Sequence, residues 1–325
     1  MRVLVYRDNL VESIHNIHYV VVDRFGRAVD AGGNGKLLTY WRSAAKPLQL
    51  LPLVEGGGAD KLGLDDSHLA VMASSHNGEE EHVTKVAEIL AKLGFGEDML
   101  QCGVHPPWGE RAASQLAAKG EEPRPIHNNC SGKHANLLAL CRHLDVDPEG
   151  YYRPDHPVQV KIMEEIKSLT GLSELLIATD GCGVPVFGLT LDRMAWAYAL
   201  LASPRELPEA KGKAAKRITE GMMKHPFLVA GTNRFETELM EAAQGKLFAK
   251  TGSEGIFCIG IPGEGYGIAM KVEDGHSRAY GPAVLAVLEG LGYLEGELPQ
   301  WRVPQIRNAR GEVIGRMQVE DRDGH

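Results

Sequence analysis

The sequence predicts an α+β fold in which one antiparallel sheet is assembled from both ends of the chain. Three observations carry this reading. Short runs of β-branched and aromatic residues occur within the first 32 residues and return from residue 246 onward. Helical periodicity dominates the long stretch between them. An apolar segment at 277–291 then reads as a closing helix. No shift in composition marks a boundary, so the 325 residues read as one domain, with a sheet region at 1–42 and 246–325 and a helical region at 43–245.

The elements follow in order. Residues 18–23, a turn at 24–27 and a return at 28–32 predict a hairpin. Residues 43–54 suit a buried helix, with Pro47 in the first turn, where its missing N–H costs nothing. Residues 79–93 place Val83, Val86, Ile89 and Leu90 on one face behind three acids in the first turn. Further helices are predicted at 133–144, 157–169, 189–201 and 211–224. The segment 101–129, rich in Pro, Gly and His, reads as a long loop around a short helix. Strands are predicted at 246–251, 255–261 and 266–272, split by GSEG and PGEG turns, and an edge pair within 303–319.

Composition excludes several functions. Apolar residues at 43% and charged residues at 24% are ordinary for a globular protein and exclude disorder. Thirty-five basic against 43 acidic residues leave a net charge of −8, which argues against general nucleic-acid binding. No apolar run is long enough to span a membrane, and the first residues carry no signal-peptide core, so the expected location is the cytoplasm. Five cysteines, an odd number, are expected as thiols, with a metal or a reactive pair open. The glycines between 260 and 267 lack the strand–helix context of a dinucleotide site, and no organic cofactor is expected.

Three short motifs carry chemistry. Ser43 and Lys46 form S-x-x-K at a predicted helix start, a spacing that puts hydroxyl and amine on one helix face. Ser75 and Asn77 form S-x-N between two helices. Lys250 opens K-T-G at a strand end. Singly, each has a plainer reading: a capping serine with a solvated lysine, a helix cap, a snorkelling lysine. Together and in this order they resemble the motif set of serine β-lactamases and penicillin-binding proteins. Two lysines facing one pocket lower each other's pKa, so one amine can serve as a base near neutrality. The reaction class this implies is acyl transfer through a seryl ester.

Longer segments extend the resemblance. RSAAKP (42–47), SSHNGE (74–79), HNNCSGKHANLL (127–138), TDGCGVP (179–185), HPFLVAGTNRFET (225–237) and KTGSEG (250–255) are similar to the asparaginase II family over roughly residues 10–318. That resemblance implies a glutaminase/β-lactamase-like fold, a single catalytic domain over 1–325, and hydrolysis of L-asparagine to L-aspartate and ammonia by serine–lysine catalysis. It implies Ser43 with Lys46, and Ser75 with Lys250, as catalytic pairs. It places Arg42, His134 and Asp180 at the substrate, and Cys130, Lys133 and Cys182 as metal ligands, with zinc the expected ion. Arg42 suits a carboxylate clamp and Asp180 an ammonium partner. It also implies a homodimer. A glutaminase, a β-lactam- or peptide-processing acyl-transferase, and a silent amino-acid- or metal-binding relative stay open. So do a disulfide between Cys130 and Cys182, and a cysteine nucleophile with His127 or His134 as base.

Overall fold

The computed structural model describes residues 1–320. Among these residues eleven strands form two sheets. The larger holds β1 (Arg2–Arg7), β2 (Leu10–Val22), β3 (Ala28–Gly32), β7 (Phe248–Gly252), β8 (Ile256–Ile261), β9 (Tyr266–Val272), β10 (Gln305–Arg307) and β11 (Val313–Val319). Their order is β10-β11-β1-β2-β9-β8-β7, with β3 also on β2. All pairings are antiparallel. The expected α+β architecture, with a sheet drawn from both chain ends, is the one observed.

β2 makes the join possible because it is long enough to serve two neighbours. Its first half pairs with β1, through Arg2 opposite Asn16. Its second half pairs with β9, through Ile17 opposite Val272. β7, the last strand in that order, and its neighbour β8 are buried along their whole length, and β8 reads as a continuous apolar run rather than an alternating one. The helix Leu191–Ala202 lies across β2, β8 and β9. Its inward residues Ala195, Ala197 and Ala199 are fully buried, and their small size brings the helix close to the sheet.

A helix at the centre of the second layer, Lys46–Glu55, is buried from Lys46 to Val54. Apolar residues all round are what such a position demands, and Lys46 is a polar exception. The helices Ser131–Leu144, Pro157–Thr170 and Glu209–Lys224 pack around it.

The structure corrects the expected elements in three places. A second sheet, β4 (Leu38–Tyr40), β6 (Pro185–Thr190) and β5 (Leu176–Thr179), was not expected, and β5 and β6 stand inside the region expected to be helical. Residues 189–190 therefore belong to a strand, and the helix begins at Leu191. The run Leu189 to Leu201 is apolar enough for either state, so periodicity could not find that break. β1, six residues bounded by arginines, was also not expected. Among the described residues no helix is long and apolar enough to cross a membrane.

Candidate active site

Four segments distant in sequence meet over one serine. The first is the turn that leads into the central helix. β4 pairs with β6, and Trp41 N–H donates to the Phe187 carbonyl at 2.8 Å. Arg42 then takes φ +54°, a left-handed conformation that is rare for a residue with a side chain. Ser43 follows in a 3₁₀ turn, and Lys46 is the first residue of the helix.

The second segment is the loop after the helix Asp66–Met72. Ser75 N–H donates to the Val229 carbonyl at 3.0 Å and Asn77 N–H to the Ala230 carbonyl at 2.8 Å, so the 225–237 segment holds this loop like an added strand. Gly231 is required there: at φ +125°, a Cβ would lie 2.6 Å from Asn77 Nδ2. The third segment is β7, which delivers Lys250. Gly252 ends the motif because a Cβ there would lie 2.8 Å from the Trp41 carbonyl oxygen.

Ser75 Oγ receives hydrogen bonds from both lysines, at 2.9 Å from Lys46 Nζ and 2.9 Å from Lys250 Nζ. Lys46 Nζ also meets the Ser74 carbonyl at 2.5 Å and Cys130 Sγ at 3.3 Å, and Lys250 Nζ meets the Thr251 carbonyl at 2.9 Å. The lysines are 1% and 0% exposed. Burial lowers the pKa of Lys46. Burial, and then the charge of Lys46, push Lys250 well below the ordinary lysine value. The pairing differs from the sequence expectation. Lys46 reaches Ser75, and among the described residues no hydrogen bond joins it to Ser43. The reason is local: Ser43 sits in the tighter 3₁₀ turn, not on the α-helix that begins at Lys46. Ser43 instead lines, with Ser75, a cleft of about 550 Å³.

The fourth segment begins the helix Ser131–Leu144, where Cys130 and Lys133 face Cys182 from the turn between β5 and β6. Lys133 Nζ lies 2.8 Å from Cys182 Sγ. The hydrogen bond between the two thiols, together with burial, pushes Cys130 up to about 12. The same bond, and the Lys133 charge, hold Cys182 well below an ordinary thiol. All five cysteines are free and buried, so the Cys130–Cys182 disulfide is absent. Two sulfurs and an amine converging in a buried pocket fit the donor preference of zinc, provided that Lys133 gives up its proton. Among the described residues no three His, Cys, Asp or Glu side chains gather for a metal, so the set depends on that lysine.

Arg42 and Asp180 bond each other, Nε to Oδ1 at 2.8 Å. Burial pushes Asp180 up, but Lys133 and Arg42 outweigh it and hold the carboxyl below its ordinary value. His134 is buried, with Nδ1 2.7 Å from Tyr151 Oη and Nε2 unpartnered. Burial, and the neighbouring Lys133, push its pKa down to about 3, so the ring is neutral. His127 takes the Arg124 N–H instead. Neither histidine hydrogen-bonds a cysteine, which removes the geometry for a cysteine–histidine pair.

Arg234 and Glu236 were not singled out from the sequence, yet both line the cleft. Glu236 stands in the first turn of the helix Phe235–Ala243, where an acid ordinarily signals only dipole compensation. A larger groove, about 1190 Å³, adjoins beyond Trp108 and Arg234. It contains none of the serine–lysine contacts.

A family model described as L-asparaginase II matches residues 3–319. No curated protein matches the sequence. Among solved structures, Mglu in its native form is 13% identical with a TM-score of 0.48, over 87% of this chain and 66% of that one. The chain thus spans just under two thirds of Mglu's length. A β-lactamase from Mycobacterium bovis is 12% identical with a TM-score of 0.47, over 86% of this chain and 95% of that one. An octameric penicillin-binding protein homologue from Pyrococcus abyssi is 13% identical with a TM-score of 0.40, over 87% and 75%.

Proposed function

The chain belongs to the L-asparaginase II family, and from that premise we propose that it hydrolyses the side-chain amide of L-asparagine to L-aspartate and ammonia. The observation that carries this reading is the Ser75 hydroxyl held by two buried lysine amines, each at 2.9 Å. A serine hydroxyl is a weak nucleophile until a neighbouring base takes its proton. A buried amine with no carboxylate in hydrogen-bond contact is kept neutral by desolvation and can act as that base.

In the first half-reaction Ser75 Oγ attacks the amide carbon while one lysine takes the hydroxyl proton. The C–N bond then breaks, and the resulting lysine ammonium protonates the departing nitrogen, which leaves as ammonia. In the second half a lysine takes a proton from water, whose oxygen attacks the seryl ester. The ester bond breaks, the proton returns to Ser75 Oγ, and aspartate is released. Arg42 and Asp180 supply one positive and one negative group for the α-carboxylate and α-ammonium of an amino acid. They would exchange their mutual contact for the substrate. Ser43, which lines the cleft with Ser75, provides a second hydroxyl for positioning or proton relay. Cys130, Lys133 and Cys182 would hold a zinc ion, which when bound supplies a positive charge beside this site.

The test is ammonia release by the purified protein on L-asparagine and on L-glutamine, with a chromogenic β-lactam in parallel. Release from asparagine supports the proposal. Release from glutamine alone makes the protein a glutaminase, a change of one methylene. Turnover of the β-lactam alone moves it to that chemistry, and silence on all three makes it a binding protein.

A further inference from the structure

A buried carboxylate stands beside the reacting pair, and the proposed chemistry does not use it. Glu236 is 1% exposed. Its Oε1 accepts from Thr251 Oγ1 at 2.6 Å and from Arg234 Nη2 at 2.8 Å. Each donor leads back to the serine. Thr251 follows Lys250 in β7, and its carbonyl accepts from Lys250 Nζ at 2.9 Å. Arg234 Nη1 donates to the Ser75 carbonyl at 3.3 Å and to Asn77 Oδ1 at 3.1 Å. One carboxylate therefore grips both halves of the Ser75–Lys250 contact, from the strand on one side and from the loop on the other.

Resting on the serine–lysine reading above, we propose that Glu236 is a positioning residue that holds Lys250 Nζ and Ser75 Oγ in register and sets the charge against which the Lys250 amine works. The HPFLVAGTNRFET segment thereby acquires a role: residues 229–230 pin the serine loop, and residues 234–236 lock it to β7. A carboxylate is buried at a cost of several kcal/mol unless it is fully partnered. Glu236 meets that condition with one charged and one neutral donor. Burial pushes its pKa up, but the charges of Arg234 and Lys250 outweigh this and hold it below the ordinary value, so it is anionic. Four side chains from three segments face the Lys250 amine: Lys46 and Arg234 disfavour its protonated form, and Glu236 and an ionised Cys130 favour it. The Cys130 thiol, pushed up to about 12, keeps its proton near neutral pH, so removing the Glu236 charge leaves the two cations unopposed and the Lys250 amine should deprotonate at lower pH.

The experiment uses the full-length protein and two readouts. Ammonia release is followed against pH, and the Lys250 amine is titrated by NMR of ¹³C-labelled lysine, its signal assigned by loss in Lys250→Arg. Glu236→Gln keeps the side-chain shape and removes the charge. It should move the Lys250 midpoint, and the acid limb of kcat with it, about one pH unit lower. It should also lower the plateau kcat about tenfold or more, with KM changed by less than about twofold. Thr251→Val removes one hydrogen bond and keeps the charge. It should lower kcat without moving the midpoint. Glu236→Asp, which restores the charge, should restore the midpoint. A wild-type midpoint and kcat in Glu236→Gln overturns the proposal. So does a lowered melting temperature with an unmoved midpoint, the mark of a merely structural carboxylate. Should Glu236→Gln fail to fold, a wild-type kcat in both Thr251→Val and Glu236→Asp overturns it. If the wild-type protein hydrolyses no amide while the midpoint still moves in Glu236→Gln, the amidase reading fails and the coupling of Glu236 to Lys250 stands.

Discussion

Two kinds of buried lysine stand in this molecule. Lys211, in the helix Glu209–Lys224, places its amine 2.6 and 2.7 Å from the two oxygens of Glu165, with Glu55 at 3.8 Å. Lys46 and Lys250 are buried more deeply, yet their hydrogen bonds go to a hydroxyl, carbonyls and a thiol. The first arrangement satisfies a full charge and ties three helices together. The second satisfies donors but leaves charge uncompensated at contact distance, which favours the neutral amine. Burial alone thus does not mark a catalytic lysine. In the proposed mechanism what marks it is burial among neutral acceptors next to the Ser75 hydroxyl.

Substitutions can break that contrast. Ser75→Ala should have the largest effect, lowering turnover at least about a thousandfold while the fold is kept. Activity near wild type would place the nucleophile elsewhere. Lys250→Met should lower turnover at least about a hundredfold. Its urea midpoint should move less than that of Lys211→Met, because Ser75 keeps Lys46 as a partner. Lys211→Met should do the reverse. It strands Glu165, which is 5% exposed, and should cost about 3–5 kcal/mol in urea unfolding with unchanged turnover per folded molecule. Equal stability losses in the two lysine variants would erase the distinction.

A pH profile sharpens it. In the proposed mechanism Lys250 acts as the neutral amine, so the rate should rise with pH through the Lys250 pKa. Burial and Lys46 hold that pKa well below 10.5, so the plateau should be reached well before that value. A rate flat from about pH 6 to about pH 10 would count against a lysine base. If Cys130, Lys133 and Cys182 hold zinc as proposed, elemental analysis should find about one zinc per chain and its loss in Cys130→Ala; unchanged content would place the ion elsewhere. The smallest expected effect is Arg42→Lys, which should raise KM about tenfold with less change in kcat, since a lysine cannot reproduce a bidentate clamp. An unchanged KM would remove Arg42 from substrate binding.

Much of this was legible in the sequence for identifiable reasons. The strands at 256–261 and 266–272 were found because glycine-rich turns bracket apolar runs. The Ser75–Lys250 pair was expected from short motifs in linear order, and the two side chains are in hydrogen-bond contact at 2.9 Å. The pairing of Lys46 with Ser75 was not legible. It depends on a 3₁₀ turn and on a contact across 29 positions, whereas the S-x-x-K spacing favours the nearer serine. Glu236 was hidden by a more common role, since an acid in a first helical turn ordinarily needs no partner beyond the dipole. β4, β5 and β6 were missed because none exceeds six residues and they pair only with each other.

The order of the large sheet has a consequence for how the protein is made. β1 lies between β2 and β11, and Val3 pairs with Val319. β1 therefore waits, with one edge bare, until residues 313–319 have left the ribosome. β2 waits similarly for β9. Such long-range closure is slow, and an open edge is a template for pairing with another chain. Production of this protein should thus be limited by protection of the nascent N-terminal hairpin. Any product that stops before residue 313 would present β1 to its neighbours with its outer partner missing.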